Sequence, residues 1–335
     1  MVFLQDILSH NKNIASSFPA GLVALFVGAT SGIGAATLKA FAQHTRRPRA
    51  YFVGRSQSAA AVVVKECKAL NPDGEYIFIP ADVSVLRVVD EVCGQIMSRE
   101  TQLNILFLSQ GVASLDRTKT PEGLHLLTAL THYSRLRFIM QLMPLVQRAS
   151  PLRRIVTVGA AGFEGTIDTS DFEALCVPAA QVRGHVATLM TLGMEAVARH
   201  ASSVAFIHDY PGTVDTPLTR RVMSQTGSAS VDWMDPTESG ERHIYLLTSA
   251  RYPGRDEGIR LTQSDGDRGA SDLEVVCGTN GGIGSGVYAV GSDGECVSTE
   301  TLGFVGALRK DGMVDLVWEH TVGEFERIAQ TAREG

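Results

Sequence analysis

A chain of 335 residues is long enough for one large domain or two small ones, and its 44% hydrophobic and 20% charged residues give a globular, enzyme-like balance whose core needs no covalent staples. A net charge of −6 makes no electrostatic case for nucleic acid, and the one basic run, Arg46-Arg47-Pro48-Arg49, reads as a solvated turn ahead of a strand. The five cysteines (Cys67, Cys93, Cys176, Cys277, Cys296) are odd in number and have no CxxC spacing, which argues against a disulfide framework or zinc site and fits a reducing, cytoplasmic location.

In chain order, residues 1–20 lack a basic segment followed by a long apolar run, so they are not read as a signal peptide. No stretch approaches the ~18 apolar residues of a membrane span. Phe3, Leu4 and Ile7 predict a short amphipathic helix packed on the domain. Short apolar runs then recur at Leu22–Val27, Ala50–Val53, Tyr76–Ile79, Ile105–Leu108, Ile155–Val158 and Val204–His208. Continuous apolar runs of this length predict strands buried on both faces. Longer segments between them, such as Gly34–His44 and Gly123–Gln147, have the length of crossover helices. This order predicts a single α/β domain over residues 1–335: a Rossmann-type doubly wound parallel sheet of about seven strands with helices on both faces. Pro236 opens a further helix toward Ser249. Residues 252–286, rich in Gly, Asp, Ser and Arg, read as a long loop or insertion. Val287–Val290 reads as the last strand, and the chain closes on an amphipathic helix within residues 311–333.

The strongest motif is Gly28-Ala29-Thr30-Ser31-Gly32-Ile33-Gly34, directly after the first strand and opening the first crossover helix. Gly28 permits the tight turn, Gly32 lets backbone approach a pyrophosphate, and Gly34 allows close helix–strand packing. The helix N-terminus then offers unpaired N–H groups to phosphate oxygens. Gly278-Thr279-Asn280-Gly281-Gly282-Ile283-Gly284 has a similar composition, but a strand rather than a helix follows it, so it reads as a loop. The second strand ends in Gly54-Arg55-Ser56, with no acidic residue to bind a ribose 2′-hydroxyl. Arg55 offers a donor fork to a 2′-phosphate and Ser56 a hydroxyl, which favours NADP(H).

These residues resemble the short-chain dehydrogenase/reductase family. The match comprises Gly28-x-x-x-Gly32-x-Gly34, Asp82-Val83 after the third strand, Gly111 after the fourth, and Pro211-Gly212 with Thr216 after the sixth. It covers about residues 20–250 plus the last strand. The resemblance implies that Asp82 contacts adenine, that Val83 supplies a backbone contact, and that Pro211–Thr216 lies against the nicotinamide amide. The texture of the chain, including Val317-Trp318-Glu319-His320, is similar to a fungal secondary-metabolism branch of the family.

The family's chemistry uses a Tyr-x-x-x-Lys pair after the fifth strand, a serine at that strand's end and a helical asparagine. No tyrosine lies between Tyr133 and Tyr210, and no lysine between Lys119 and Lys310, so the pair is absent in any register. Counting back from Leu192-Gly193-Met194-Glu195 puts Pro178 and Val182 in its places. Ala160 replaces the serine, Gln110 a small residue, and Thr131 the asparagine.

Candidate replacements follow from geometry. His185 shares a helix face with Pro178 and Val182, and it either titrates near neutrality as acid or base or packs at a helix interface. Arg183 either anchors a phosphate or enolate or is exposed. Tyr210, with His208 and Asp209 at the carboxyl end of the sixth strand, either donates a hydrogen bond or packs. Tyr133 reads as packing or a subunit interface, the latter implying a homodimer, and His320 with Glu319 as a surface pair. Glu164, Asp168 and Asp171 read as a solvated acidic loop. The partner is a small-molecule substrate. Three readings stay open. The favoured one is non-redox isomerisation or cyclisation of an enone or polyketide-like substrate. The others are NADPH-dependent reduction with a non-standard proton donor, and a catalytically inert cofactor sensor.

Overall fold

The computed structural model describes residues 1–112, 116–226, 232–263 and 274–334. Among these, seven parallel strands form one sheet: β1 (Val23–Val27), β2 (Arg49–Gly54), β3 (Glu75–Pro80), β4 (Ile105–Leu108), β5 (Arg154–Val158), β6 (Ala205–Asp209) and β7 (Val287–Val290), ordered β3-β2-β1-β4-β5-β6-β7. The order reverses between β1 and β4, which opens a crevice beyond their carboxyl ends.

Alternation along each strand feeds two cores. In β1, Val23, Leu25 and Val27 join one cluster, and Ala24 and Phe26 the other. Neither face meets water, which explains runs that are apolar throughout rather than alternating. One face carries α1 (Leu4–Lys12), α2 (Gly32–His44), α3 (Gln57–Leu70) and, after the sixth strand, Pro236–Thr248. The other carries α4 (Leu86–Met97), α5 (Ser134–Arg148), α6 (Ala179–Ala198) and the closing helix α7 (Met313–Glu334).

The elements differ from expectation in two places, while the second glycine-rich string is a loop as expected. The helix expected over Gly123–Gln147 begins at Leu126, runs through a π-helical turn at Ala129–Tyr133, and continues as α5. The segment expected as a loop over residues 252–286 contains a helix, Arg255–Gln263, while residues 264–273 lie outside the described residues. The Gly278–Gly284 string is a loop, closed by Gly278 N–H on Gly282 O at 2.9 Å. No described helix is long and apolar enough to cross a membrane.

The closing helix bears on two further expectations: Tyr133 packs, one of the two readings given for it, and His320 departs from its reading. Tyr133 is fully buried and meets this chain's own α7, with its hydroxyl 2.7 Å from His320 Nε2. His320 is not a surface pair with Glu319; it stacks on Phe172 at 4.3 Å. His132 Nε2 lies 2.9 Å from Thr321 Oγ1. These contacts tie α7 to the π-helical turn. Tyr133→Phe removes one buried hydrogen bond and strands the His320 nitrogen, a cost of about 1–2 kcal/mol. Urea unfolding should register that loss, and an unchanged midpoint would show that α7 is held by apolar packing alone.

Candidate active site

A cleft of about 410 Å³ lies over the carboxyl ends of β2, β1 and β4. Its floor is the Gly28–Gly34 turn, where Gly28 and Gly32 take φ of +82° and +56°. A Cβ on Gly28 would sit 2.7 Å from Gln110 N, and one on Gly34 would sit 2.5 Å from Gly28 O and Ser109 Oγ. Only glycine permits this approach. Ser31 opens α2 in an extended conformation without a side-chain cap, so the first-turn N–H groups face the cleft free of a capping oxygen.

The structure brings most of the expected cofactor residues into this cleft: Gly28, Thr30, Ser31, Gly32, Ile33, Gly34, Arg55, Asp82, Val83, Gly111 and Thr216 all line it. Ser56 does not; its hydroxyl caps α3, accepting Ala59 N–H at 3.2 Å. Pro211 and Gly212 also stand outside, Pro211 on a small neighbouring cavity with Asp209 and His243, and Gly212 at φ +76° against Ser292. Among the lining residues that the sequence reading did not assign to the cofactor are Arg221 and Gln110. Arg221 follows Thr216 on the next helix and, like Arg55, forms no ion pair with a described residue. Gln110 is 5% exposed and its Oε1 has no partner. The cleft therefore has a glycine cradle, two free guanidinium groups and an orphan acceptor, a set that fits a phosphorylated dinucleotide.

The catalytic candidates separate. His185 is fully buried, with Nδ1 accepting Asp168 N–H at 3.2 Å and Nε2 donating to Phe172 O at 3.1 Å. Burial lowers its pKa. Both nitrogens are spent on the loop that folds over α6, so this side chain braces backbone instead of facing the cleft. Helical periodicity gave its face correctly but not the loop covering that face. Arg183 and Tyr210 do come together: the Arg183 guanidinium lies 3.3 Å from the Phe163 ring centroid and 5.1 Å from that of Tyr210. Phe163 meets Tyr210 edge-on at 4.9 Å. This cation–π stack sits at the carboxyl edge of β6.

Of the residues read as a solvated acidic loop, Asp168 is exposed, whereas Asp171 and Glu164 organise the backbone. Asp171 accepts the N–H groups of Leu175, Cys176 and Val177. The Glu164 carboxylate is buried and accepts Gly162 N–H at 2.7 Å and the Thr191 hydroxyl at 2.8 Å. Thr191 Oγ1 in turn lies 2.8 Å from His208 Nδ1, and His208 Nε2 accepts Ala160 N–H at 3.1 Å. A Cβ on Gly159 would meet that Nε2 at 2.3 Å, so the histidine occupies the space beside the β5 end. The Glu164–Thr191–His208 chain thus fixes the loop that carries Phe163.

The short chain dehydrogenase family model matches residues 22–132. "Oxidoreductase AN1596" of Emericella nidulans is 36% identical, over 96% of this chain and 97% of its own. "Oxidoreductase andH" of Emericella variicolor is 33% identical over 99% of each chain. Among solved structures, the one titled "Pseudomonas aeruginosa RhlG/NADP active-site complex" is similar with a TM-score of 0.53 at 21% identity, over 69% of this chain and 91% of that one. The cleft lies where a Rossmann-type sheet places its ligand. The chain belongs to the short-chain dehydrogenase/reductase family, and full-length fungal oxidoreductases are its relatives.

The buried histidines make stability depend on pH. Burial, with the Arg135 charge second, holds His208 down to about 3, and burial holds His132 down to about 3 as well. Each is neutral when folded but charges near 6.5 when unfolded, so its contribution is complete above pH 6.5 and is lost as pH falls toward 3, at about 1.4 kcal/mol per pH unit per histidine. Glu164, raised by burial, acts oppositely: its penalty is relieved as pH falls. His208→Gln should flatten the decline in urea stability between pH 6 and 4 by about one proton's worth; an unaltered slope would contradict a neutral, buried His208.

Proposed function

We propose that this protein is an NADP(H)-dependent oxidoreductase that reduces a carbonyl or enone substrate, with Tyr210 as proton donor and Arg183 as the anchor of the substrate oxygen. The observation that carries this reading is the Arg183–Phe163–Tyr210 stack at the carboxyl edge of β6, on the same edge of the sheet as the dinucleotide cleft and with Arg183 and Phe163 lining a separate cavity of about 620 Å³. Full-length relatives named as oxidoreductases support redox chemistry over the isomerisation or cyclisation that the missing Tyr–Lys pair suggested.

Arg55 would hold the 2′-phosphate, the Gly32–Gly34 amides and Arg221 the pyrophosphate, and Asp82 and Val83 the adenine. When bound, the reduced dinucleotide supplies a hydride. The residues must then handle an oxygen that gains negative charge. Arg183 sets a cation beside that oxygen, and Phe163 stacks on one face of the guanidinium and so restricts its orientation. The Tyr210 hydroxyl gives its proton to the oxygen and regains one from solvent. The Glu164–Thr191–His208 chain and His185 touch neither reactant and act as positioning groups for the loops above α6.

NADPH absorbance followed with a panel of saturated and α,β-unsaturated ketones tests the assignment. Tyr210→Phe should lower kcat by ~10²–10⁴ with its circular dichroism unchanged, and Arg183→Gln should raise KM as well. A folded Tyr210→Phe variant at wild-type rate removes the tyrosine from the mechanism. Substrate turnover in the absence of NADPH would replace redox chemistry by the isomerase or cyclase reading.

A further inference from the structure

Arg135 stands at the start of α5, where the π-helical turn Ala129–Tyr133 rotates it inward. It is 3% exposed. Its Nη1 donates to Thr157 Oγ1 and Val158 O, both at 2.5 Å, its Nη2 to Gln110 O at 2.6 Å, and its Nε to Leu130 O at 3.3 Å. All four acceptors are neutral. The guanidinium thus stitches the carboxyl ends of β4 and β5 together, directly behind Gln110 and Leu130 of the cleft wall. Burial depresses its pKa to about 10, which leaves it charged at neutral pH. The carboxylate that acts on it, Asp209, is already taken by His243 Nε2 at 3.0 Å. A buried cation without its own anion is costly, and apolar residues could tie two strands at less cost.

The strand order fixes which end of the cleft this charge underlies. Arg55 stands at the β2 end, the glycine turn at β1, and Gln110 and Leu130 beyond β4. A dinucleotide with its 2′-phosphate on Arg55 and its pyrophosphate on the turn therefore brings its redox ring toward the β4–β5 end.

We propose that Arg135 makes the site discriminate the oxidation state of the dinucleotide, retaining the neutral reduced nicotinamide and disfavouring the cationic oxidised ring. This rests on the reading of the cleft as an NADP(H) site. The effect works through loading and release. A positive field raises the potential of the bound couple, so it does not drive hydride donation; it selects the reduced cofactor, expels the spent one and stabilises negative charge on a substrate oxygen at the same end. Two unit charges roughly 10 Å apart at an effective dielectric of about 20 change an equilibrium constant by on the order of tenfold.

Calorimetric titration with NADP⁺ and NADPH separately, at one pH and ionic strength, reads the preference without any substrate. The wild type should bind NADPH on the order of tenfold tighter. Arg135→Lys should keep most of that ratio, and Arg135→Met should bring it close to one. A wild-type ratio near one overturns the proposal, as does a folded Arg135→Met variant with the wild-type ratio. Should Arg135→Met fail to fold, the wild-type ratio and that of Arg135→Lys decide: a ratio near one in the wild type, or one already lost in a folded Arg135→Lys, overturns it. Failure of the wild type to bind either dinucleotide removes the NADP(H) reading as well, whereas equal binding of both removes this proposal alone.

Discussion

The close backbone approach between the Gly28–Gly34 turn and Ser109–Gln110 at the end of β4 is the constraint on which the rest depends. Any Cβ at Gly28 or Gly34 would collide with backbone or with the Ser109 hydroxyl. That absence of side chains lets α2 start directly beyond the paired ends of β1 and β4, its first N–H groups turned to the crevice. The Ser109 hydroxyl donates to Val27 O at 3.0 Å and locks the joint from the β4 side. Widening it by one methyl group would move α2 and close the cleft.

Behind this joint lies a polar layer at the carboxyl edge of β4, β5 and β6, in which almost every group holds backbone. Arg135 ties β4 to β5, His208 holds Ala160, and Asp209 is paired with His243. Among the described residues, the groups this layer leaves free include Tyr210 and Arg183 on the rim and Gln110 Oε1 on the wall, and the proposed reaction is assigned to the first two. Helix α6 carries no tyrosine and no lysine, and of the two residues that counting along the sequence put in the places of the family pair, Val182 packs and Pro178 is exposed. Val182 is 3% exposed, and Pro178 precedes the helix as its N-cap.

Local information was legible in the chain. Apolar runs gave the strands because both faces of a parallel sheet are dry, and the glycine spacing together with Arg55 gave the cleft. Long-range returns were not legible. His185 lies on the helix face that its spacing from Val182 dictates, but nothing in that spacing reveals that Asp168 and Phe172 fold back over it. Tyr133 meets His320 across 187 positions, and the sequence left packing and an interface open because local spacing does not show which element covers that face. Arg135 and Arg221 have no spacing signature, since a guanidinium binds wherever the fold gathers acceptors. The single cue to Arg135 was its place one helical turn beyond Thr131, at the position matching the family's asparagine.

The central claim is that this carboxyl-edge cleft is an NADP(H) site governed by Arg55. Titration of the wild type and Arg55→Ala with NADPH and NADH tests it most directly. The account predicts tighter NADPH binding in the wild type, with that advantage lost in Arg55→Ala while NADH affinity is unchanged. Equal affinity for the two dinucleotides in the wild type, or an Arg55→Ala variant that still prefers NADPH, would contradict it.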